Sequence, residues 1–167
     1  MTRASLGRLV LWALVLCYSF FLAGHLYEVI AIVPNWSSGT PEDVGRYRDF
    51  LSHSGPGRYF MIVGLPAFIA SILAIAATWS AGKRLRLLSI VPLLIFVVYG
   101  VWTEWYFVPI NHYIGGEHYD DAILKAKVDG WVFWEIPRAV LVGLGLVVSI
   151  CLLELYGRRA SKSPQSA

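Results

Sequence analysis

Four long apolar stretches constrain this chain more than any other feature. They cover roughly residues 6–33, 59–80, 85–108 and 131–156, and each reaches the ~20 residues that a helix needs to cross a bilayer core. Hydrophobic residues make up 57% of the 167 residues and charged residues only 15%, against about 25% charged residues in soluble domains. Because helices and closed barrels alone satisfy their backbone in lipid, we predict an all-α integral membrane four-helix bundle over residues 1–157.

The first apolar stretch resembles a secretory signal at its start. Arg3 and Arg8 surround its beginning, as in a basic signal region. However, the apolar residues continue past Gly24 to Val33, and no A-x-A cleavage site closes them. We therefore interpret residues 6–33 as a retained membrane span.

The basic residues predict the orientation of the four spans. Eight of the fourteen lie at the N-terminus, between spans two and three, or after span four. They are Arg3, Arg8, Lys83, Arg84, Arg86, Arg158, Arg159 and Lys162. Because Lys and Arg concentrate in cytoplasmic segments, we predict an up-down-up-down bundle in the plasma (bacterial inner) membrane. Both termini would be cytoplasmic, with residues 158–167 as a disordered tail.

Seven polar residues interrupt the apolar stretches or follow them at one predicted level, toward the outer surface. They are His25, Glu28, Glu104, Asn111, His112, Glu135 and Arg138. Residues three or four apart share a helix face, so His25 pairs with Glu28 and Glu135 with Arg138. Charges within membrane spans usually face the bundle interior and mark function. The sequence thus predicts a polar pocket, although interhelical hydrogen bonding and snorkelling at span ends are the plain structural alternatives.

Aromatic residues crowd the same predicted level. Trp36, Trp102, Trp105, Tyr106, Trp131 and Trp134 lie there. An interfacial aromatic belt is the ordinary explanation, but the opposite boundary has far fewer aromatic residues. This excess favours a pocket that stacks a flat aromatic ligand. Glu104, Trp105, Asn111, His112, Trp131 and Trp134 are therefore the predicted substrate-binding residues.

Two smaller patterns concern how the helices are built. The ends of spans one and three, "YEVIAIVPNW" and "EWYFVPINHY", each hold a Glu, then Val-Pro, then an Asn, as would follow from a duplicated helical hairpin or from chance convergence. Gly143 and Gly145 in span four are predicted to permit close helix contact.

The chain resembles the anthrone-oxygenase-like family of small four-span membrane proteins. The resemblance rests on "FLAGHLYEVIAIVPNW", on "YFVPINHYI", and on Trp131, Trp134 and Arg138 in the fourth span. It implies a four-helix membrane bundle, in which Pro109, Asn111, Trp131, Trp134 and Arg138 are motif positions. Characterised fungal members oxidise anthrones with molecular oxygen without a recognised metal or flavin, whereas most bacterial members are a domain of unknown function.

Three functions remain open from the sequence. The first is a cofactor-independent oxidoreductase acting on a lipophilic aromatic compound, with His25 or Glu28 as the base and Arg138, oriented by Glu135, stabilising the anion. The second is a metal site built from His25, Glu28, Glu104 and Glu135, with His112 as a further donor. The third is a non-catalytic membrane subunit or small-ligand binder whose polar residues hold the bundle together. No nucleic-acid partner is predicted, and no particular protein partner.

Overall fold

The computed structural model describes residues 2–116 and 120–160, which are almost entirely helical and contain no strand. This confirms the predicted all-α bundle. The α-helices within these ranges are α1 (Arg3–Tyr27), α2 (Pro41–Phe50), α3 (Pro56–Thr78), α4 (Lys83–Trp102), α5 (Val108–Ile114) and α6 (Asp121–Ala160).

Two π-helical turns extend the helices that carry the polar residues. A π-helical turn at Glu28–Ile32 and a 3₁₀ turn at Val33–Asn35 continue α1, and a second π-helical turn at Thr103–Phe107 joins α4 to α5. Four continuous helical stretches are then long and apolar enough to cross a membrane. They are Ala4–Asn35, Pro56–Thr78, Lys83–Ile114 and Asp121–Arg159.

The four long helices form a square in which neighbours in sequence are neighbours in space. α1 packs against α3 and α6, and α4 packs against the same two helices. The arrangement is the predicted up-down-up-down bundle. We call the end that holds the N-terminus, the α3–α4 turn and the C-terminal end of α6 the terminus end, and the end that holds α2 and α5 the connector end.

The packing of α3 illustrates how small residues build the bundle interior. Ala67, Ala70 and Ala74 are buried, whereas Leu65 and Ile69 on the other face are exposed. Small residues permit close helix approach where lipid, rather than water, surrounds the bundle. The large apolar side chains are then free to face acyl chains.

The connector end is more helical than the sequence predicted. Residues 34–58 and 109–130 separate the predicted spans; the first segment contains α2, and the second contains most of α5 and the first ten residues of α6. A second apolar core holds these parts together as a cap on the bundle. Its buried members are Val33, Trp36, Val44, Phe107, Ile110, Ile114, Leu124, Val128 and Trp131. At the other end, residues 158–160 of the expected tail continue α6, while residues 161–167 lie outside the described residues.

Candidate functional site

A buried histidine–glutamate pair joins α1 to α6 near the connector end. His25 Nδ1 lies 2.6 Å from Glu135 Oε1, and the two side chains are 0% and 1% exposed. With the carboxylate ionised, Nδ1–H donates and Oε1 accepts. In the neutral imidazole, the lone pair then lies on Nε2, which has no hydrogen-bond partner.

Arg138 supplies the positive charge that balances Glu135. It lies one turn along α6, and its guanidinium makes an ion pair with Glu135 Oε2. The guanidinium carbon also lies 3.6 Å from the ring centroid of Phe107. An arginine stacked on an aromatic ring and paired with a carboxylate is held in one orientation. Glu135 is thereby fixed from both sides, by His25 and by Arg138.

Glu28 brings a second carboxylate to the same place. It begins the first π-helical turn, which the backbone N–H of Val33 closes on the Glu28 carbonyl. Pro34 follows directly and has no N–H to continue the α-helical ladder. The Glu28 side chain is 4% exposed, and its Oε2 has no hydrogen-bond partner. We call His25, Glu28, Glu135 and Arg138 the polar cluster.

Unpaired polar atoms concentrate around this cluster. Across the described residues, the buried side-chain atoms without a hydrogen bond are His25 Nε2, Glu28 Oε2, Trp36 Nε1, Thr103 Oγ1, Glu135 Oε2 and Arg138 Nε. Among them, Glu135 Oε2 still has its ion pair with Arg138. Buried polar atoms are normally hydrogen-bonded. Four of these six atoms belong to the polar cluster itself.

Aromatic rings enclose the polar cluster on two sides. The centroid of the His25 ring lies 4.6 Å from the ring centroid of Phe60 and 5.4 Å from the ring centroids of Phe21 and Tyr99. Toward the connector end, Trp36 stacks on Tyr47 of α2 at 5.1 Å. Burial, and then the nearby Glu28 carboxylate, raises the pKa of the Tyr47 phenol. The walls of the cluster are thus flat and apolar.

The structure brings together five of the predicted site residues. His25, Glu28, Glu135 and Arg138 form the polar cluster, and Trp131 lies beside it, with its ring centroid 5.7 Å from the Arg138 guanidinium. Asn111 is exposed, and its Oδ1 accepts a hydrogen bond of 2.9 Å from Trp131 Nε1. Asn111 therefore holds Trp131 instead of entering the cluster.

Four predicted site residues lie outside the polar cluster. Glu104, Trp105 and His112 are exposed, and Trp134 is 39% exposed and packs against Trp102 and Tyr106. The expectation that Glu104 faces the bundle interior is wrong. Tyr99, the Thr103 hydroxyl and Phe107 are buried, whereas Glu104, the residue after Thr103, lies on an exposed side of the helix.

Sequence reasoning missed Tyr99, Thr103 and Phe107 as members of this region. The sequence does contain a signal for them, because Tyr99, Thr103 and Phe107 are spaced four residues apart in an apolar helix and therefore share one face. Phe21 and Phe60 carry no such signal, since phenylalanine is common throughout the spans. They belong to this region because their rings contact the His25 ring, Phe21 from α1 and Phe60 from α3.

The polar cluster can perform two kinds of chemistry. An imidazole that is oriented by a carboxylate and has an unpaired lone pair on Nε2 is suited to accept a proton. His25, Glu28 and Glu135 can also each offer one ligand atom, with the three atoms within 4.8 Å of one another. Imidazole and carboxylate groups ligate zinc, manganese and iron. Comparison of the chain with protein-family models, curated proteins and solved structures found no match.

Proposed function

We propose that this protein is a membrane oxidoreductase that deprotonates a lipophilic aromatic substrate at His25. The observation that carries the proposal is the asymmetry of the imidazole. Its Nδ1 is hydrogen-bonded to the buried Glu135 carboxylate, while its Nε2 has no partner. A base needs this combination of a fixed orientation and an unpaired lone pair.

The other members of the polar cluster take roles that follow from their charge. Glu135 orients the imidazole and stabilises the imidazolium that forms when His25 accepts a proton. Arg138 stabilises the negative charge left on the substrate. Glu28 is a second proton acceptor, because one of its carboxylate oxygens lies within 4.8 Å of a ring nitrogen of His25. The surrounding aromatic rings suit a planar substrate.

The reaction proposed is the oxidation of an activated methylene group by molecular oxygen. Removal of the proton gives a resonance-stabilised carbanion, which donates electrons to oxygen. One oxygen atom becomes the new carbonyl group and the other leaves as water, so that R₂CH₂ and O₂ give R₂C=O and H₂O. The resemblance to the anthrone-oxygenase-like family supports an anthrone-like substrate, which has such a methylene group. A quinol-like substrate would instead give up two hydroxyl protons and two electrons, so that a quinol and O₂ give a quinone and H₂O₂.

We also propose that the protein resides in the plasma (bacterial inner) membrane with both termini in the cytoplasm. The support is the concentration of lysine and arginine at the terminus end. The polar cluster then lies in the outer half of the bilayer.

Turnover by the purified protein tests the oxidoreductase. Oxygen consumption and quinone formation are measured in mild detergent with a panel of anthrones and quinols. We expect His25→Gln to reduce kcat by about a hundredfold or more, the usual contribution of a positioned base. The matched control is Glu104→Gln, which changes an exposed carboxylate at a similar level and should leave turnover unchanged.

Two results would contradict the oxidoreductase. Unchanged turnover in a folded His25→Gln variant would exclude His25 as the general base. Absence of turnover with every compound would favour a non-catalytic role. The polar cluster is then a set of buried interactions that stabilise the packing of α1 against α6. Thermal unfolding of each variant in detergent separates loss of chemistry from loss of fold.

A divalent metal site is the second candidate, and the convergence of three ligand atoms favours it. Its ligands are His25, Glu28 and Glu135; Glu104 of the sequence-based set is exposed. Metal analysis of the purified protein tests it. Stoichiometric zinc, manganese or iron that Glu28→Gln removes and Glu104→Gln retains supports the site, and metal-free, active protein contradicts it.

A further inference from the structure

Two apolar grooves flank the C-terminal part of α6 at the terminus end. The first, about 750 Å³, lies between α4 and α6 and is lined by Leu87, Val91 and Cys151 among others. The second, about 480 Å³, lies between α1 and α6 and includes Trp12. Both lie at the opposite end of the bundle from the polar cluster.

One ridge of α6 separates the two grooves. Ile150, Glu154 and Arg158 line both of them. These positions are four residues apart and therefore stack along a single helix face. A ligand with two apolar branches can straddle this ridge with one branch in each groove.

Each groove is lined by an arginine of the neighbouring helix. Arg84 lines the first and Arg8 lines the second, and both side chains are exposed. Within residues 2–116 and 120–160, neither makes an ion pair with a carboxylate. Arg158 on the ridge pairs with Glu154 at 2.8 Å. Counted over the described residues that line the two grooves, three arginines against one carboxylate give a charge of +2.

We propose that these grooves bind one diacyl phospholipid with an anionic headgroup. Its two acyl chains occupy the two grooves, and its phosphate lies between Arg8 and Arg84. Arginine binds phosphate oxygens through two parallel N–H donors, and basic pockets between membrane helices select anionic lipids. Because Arg8 and Arg84 have no carboxylate partner within the described part of the chain, they favour an anionic lipid over a zwitterionic one.

Native mass spectrometry tests this proposal on the full chain in mild detergent. Phosphatidylglycerol and phosphatidylcholine with identical acyl chains are added in equal amounts. We expect the wild-type protein to retain phosphatidylglycerol preferentially. Arg8→Gln with Arg84→Gln should lose this preference, by roughly fivefold for each arginine removed.

A matched double variant at the connector end controls for overall charge. Arg46→Gln with Arg58→Gln removes two exposed arginines from the other end and should keep the preference. Cys151→Trp places an indole in the first groove and should reduce lipid retention while all the arginines remain. Inorganic phosphate should not displace the lipid, because it has no acyl chain to fill the grooves.

Several outcomes would overturn the proposal. Equal retention of the two lipids by the wild-type protein would show that the grooves do not select an anionic headgroup. Equal loss of the phosphatidylglycerol preference in both double variants would assign the preference to the net charge of the protein. Displacement by phosphate alone reduces the site to an anion site. A dimer that Cys151→Trp disrupts, without lipid preference, identifies the grooves as an interface between two copies of the chain.

Discussion

Glu135 is the carboxylate that holds the buried polar side chains of α1 and α6 together. One of its oxygens lies 2.6 Å from His25 Nδ1 and the other pairs with Arg138. Removing its charge leaves the buried guanidinium without its ion-pair partner, because among the described residues the other carboxylate of the cluster, Glu28, makes no ion pair with Arg138. Because uncompensated buried charge is far more costly than a buried pair is stabilising, stability depends on Glu135 more than on any exposed carboxylate.

We predict that Glu135→Gln lowers the free energy of unfolding by about 3 to 5 kcal/mol. The measurement is thermal or denaturant unfolding in detergent, with Glu104→Gln as the control that stays near the wild-type value. The double substitution Glu135→Leu with Arg138→Leu removes both charges and should recover part of the loss. A Glu135→Gln protein as stable as the wild type would show that Arg138 finds another counter-charge.

At the residue scale, the sequence predicted the cluster but not its limits. His25, Glu28, Glu135 and Arg138 could be found because charged side chains in apolar spans tend to face inward. Glu104 met the same criterion and is nevertheless exposed. The difference depends on helix phase, which apolar stretches without clear periodicity do not reveal. The π-helical turn at Thr103–Phe107 adds a further change of phase that no residue pattern specified.

At the element scale, glycines set how closely α1 and α6 approach. A Cβ added at Gly145 would overlap the ring of Tyr18. Tyr18 is fully buried, and its hydroxyl donates a 2.5 Å hydrogen bond to the carbonyl of Pro92 in α4. The ring is therefore held on both sides and has no room to move. This close contact agrees with the sequence-based interpretation of Gly145 but not of Gly143, where an added Cβ would meet only the Leu22 side chain at 3.9 Å, an ordinary contact.

We predict that Gly145→Ala destabilises the bundle by about 1 to 3 kcal/mol, the usual cost of overpacking a closed interior. Gly157→Ala is the matched control on the same helix, because a Cβ there meets no atom within 4 Å. It should be neutral or stabilising by up to about 1 kcal/mol, since alanine favours the helix. Unfolding of the two variants in the same detergent measures the difference, and equal stability would refute the close contact.

The two π-helical turns are the clearest local similarity between the halves of the chain. Each starts within one residue of a glutamate and ends one residue before a Val-Pro pair. The sequence showed the shared Glu, Val-Pro and Asn. It did not show the turns, because a proline can equally end a helix or kink it.

At the scale of the whole molecule, hydropathy was sufficient for the architecture. The four apolar stretches became four adjacent helices because membrane spans are specified by length and composition. The cap was not predicted, since α2, α5 and the start of α6 are short or amphipathic. Their helices depend on the core around Trp36 and Trp131.

We predict that the connector end faces outward and the terminus end faces the cytoplasm. Cysteine labelling in intact cells tests this in a chain with Cys17 and Cys151 replaced by alanine. Ser54→Cys and Ser80→Cys place exposed thiols at opposite ends of α3. A membrane-impermeant maleimide should label Ser54→Cys at once and Ser80→Cys only after lysis, and the reverse pattern would invert the topology.

The length of α6 links the cap to the membrane mechanically. Its 40 residues extend about 60 Å, roughly twice the thickness of a bilayer's hydrocarbon core. The same helix thus carries the lipid-facing surface, then Glu135, Pro137 and Arg138, then Leu124 and Val128 within the cap. The apolar part of α6, residues 131–156, extends about 39 Å, and an apolar stretch longer than the hydrocarbon core responds to a thinner bilayer by tilting or kinking. We therefore expect membrane thickness to alter how the cap residues of α6 lie over the polar cluster.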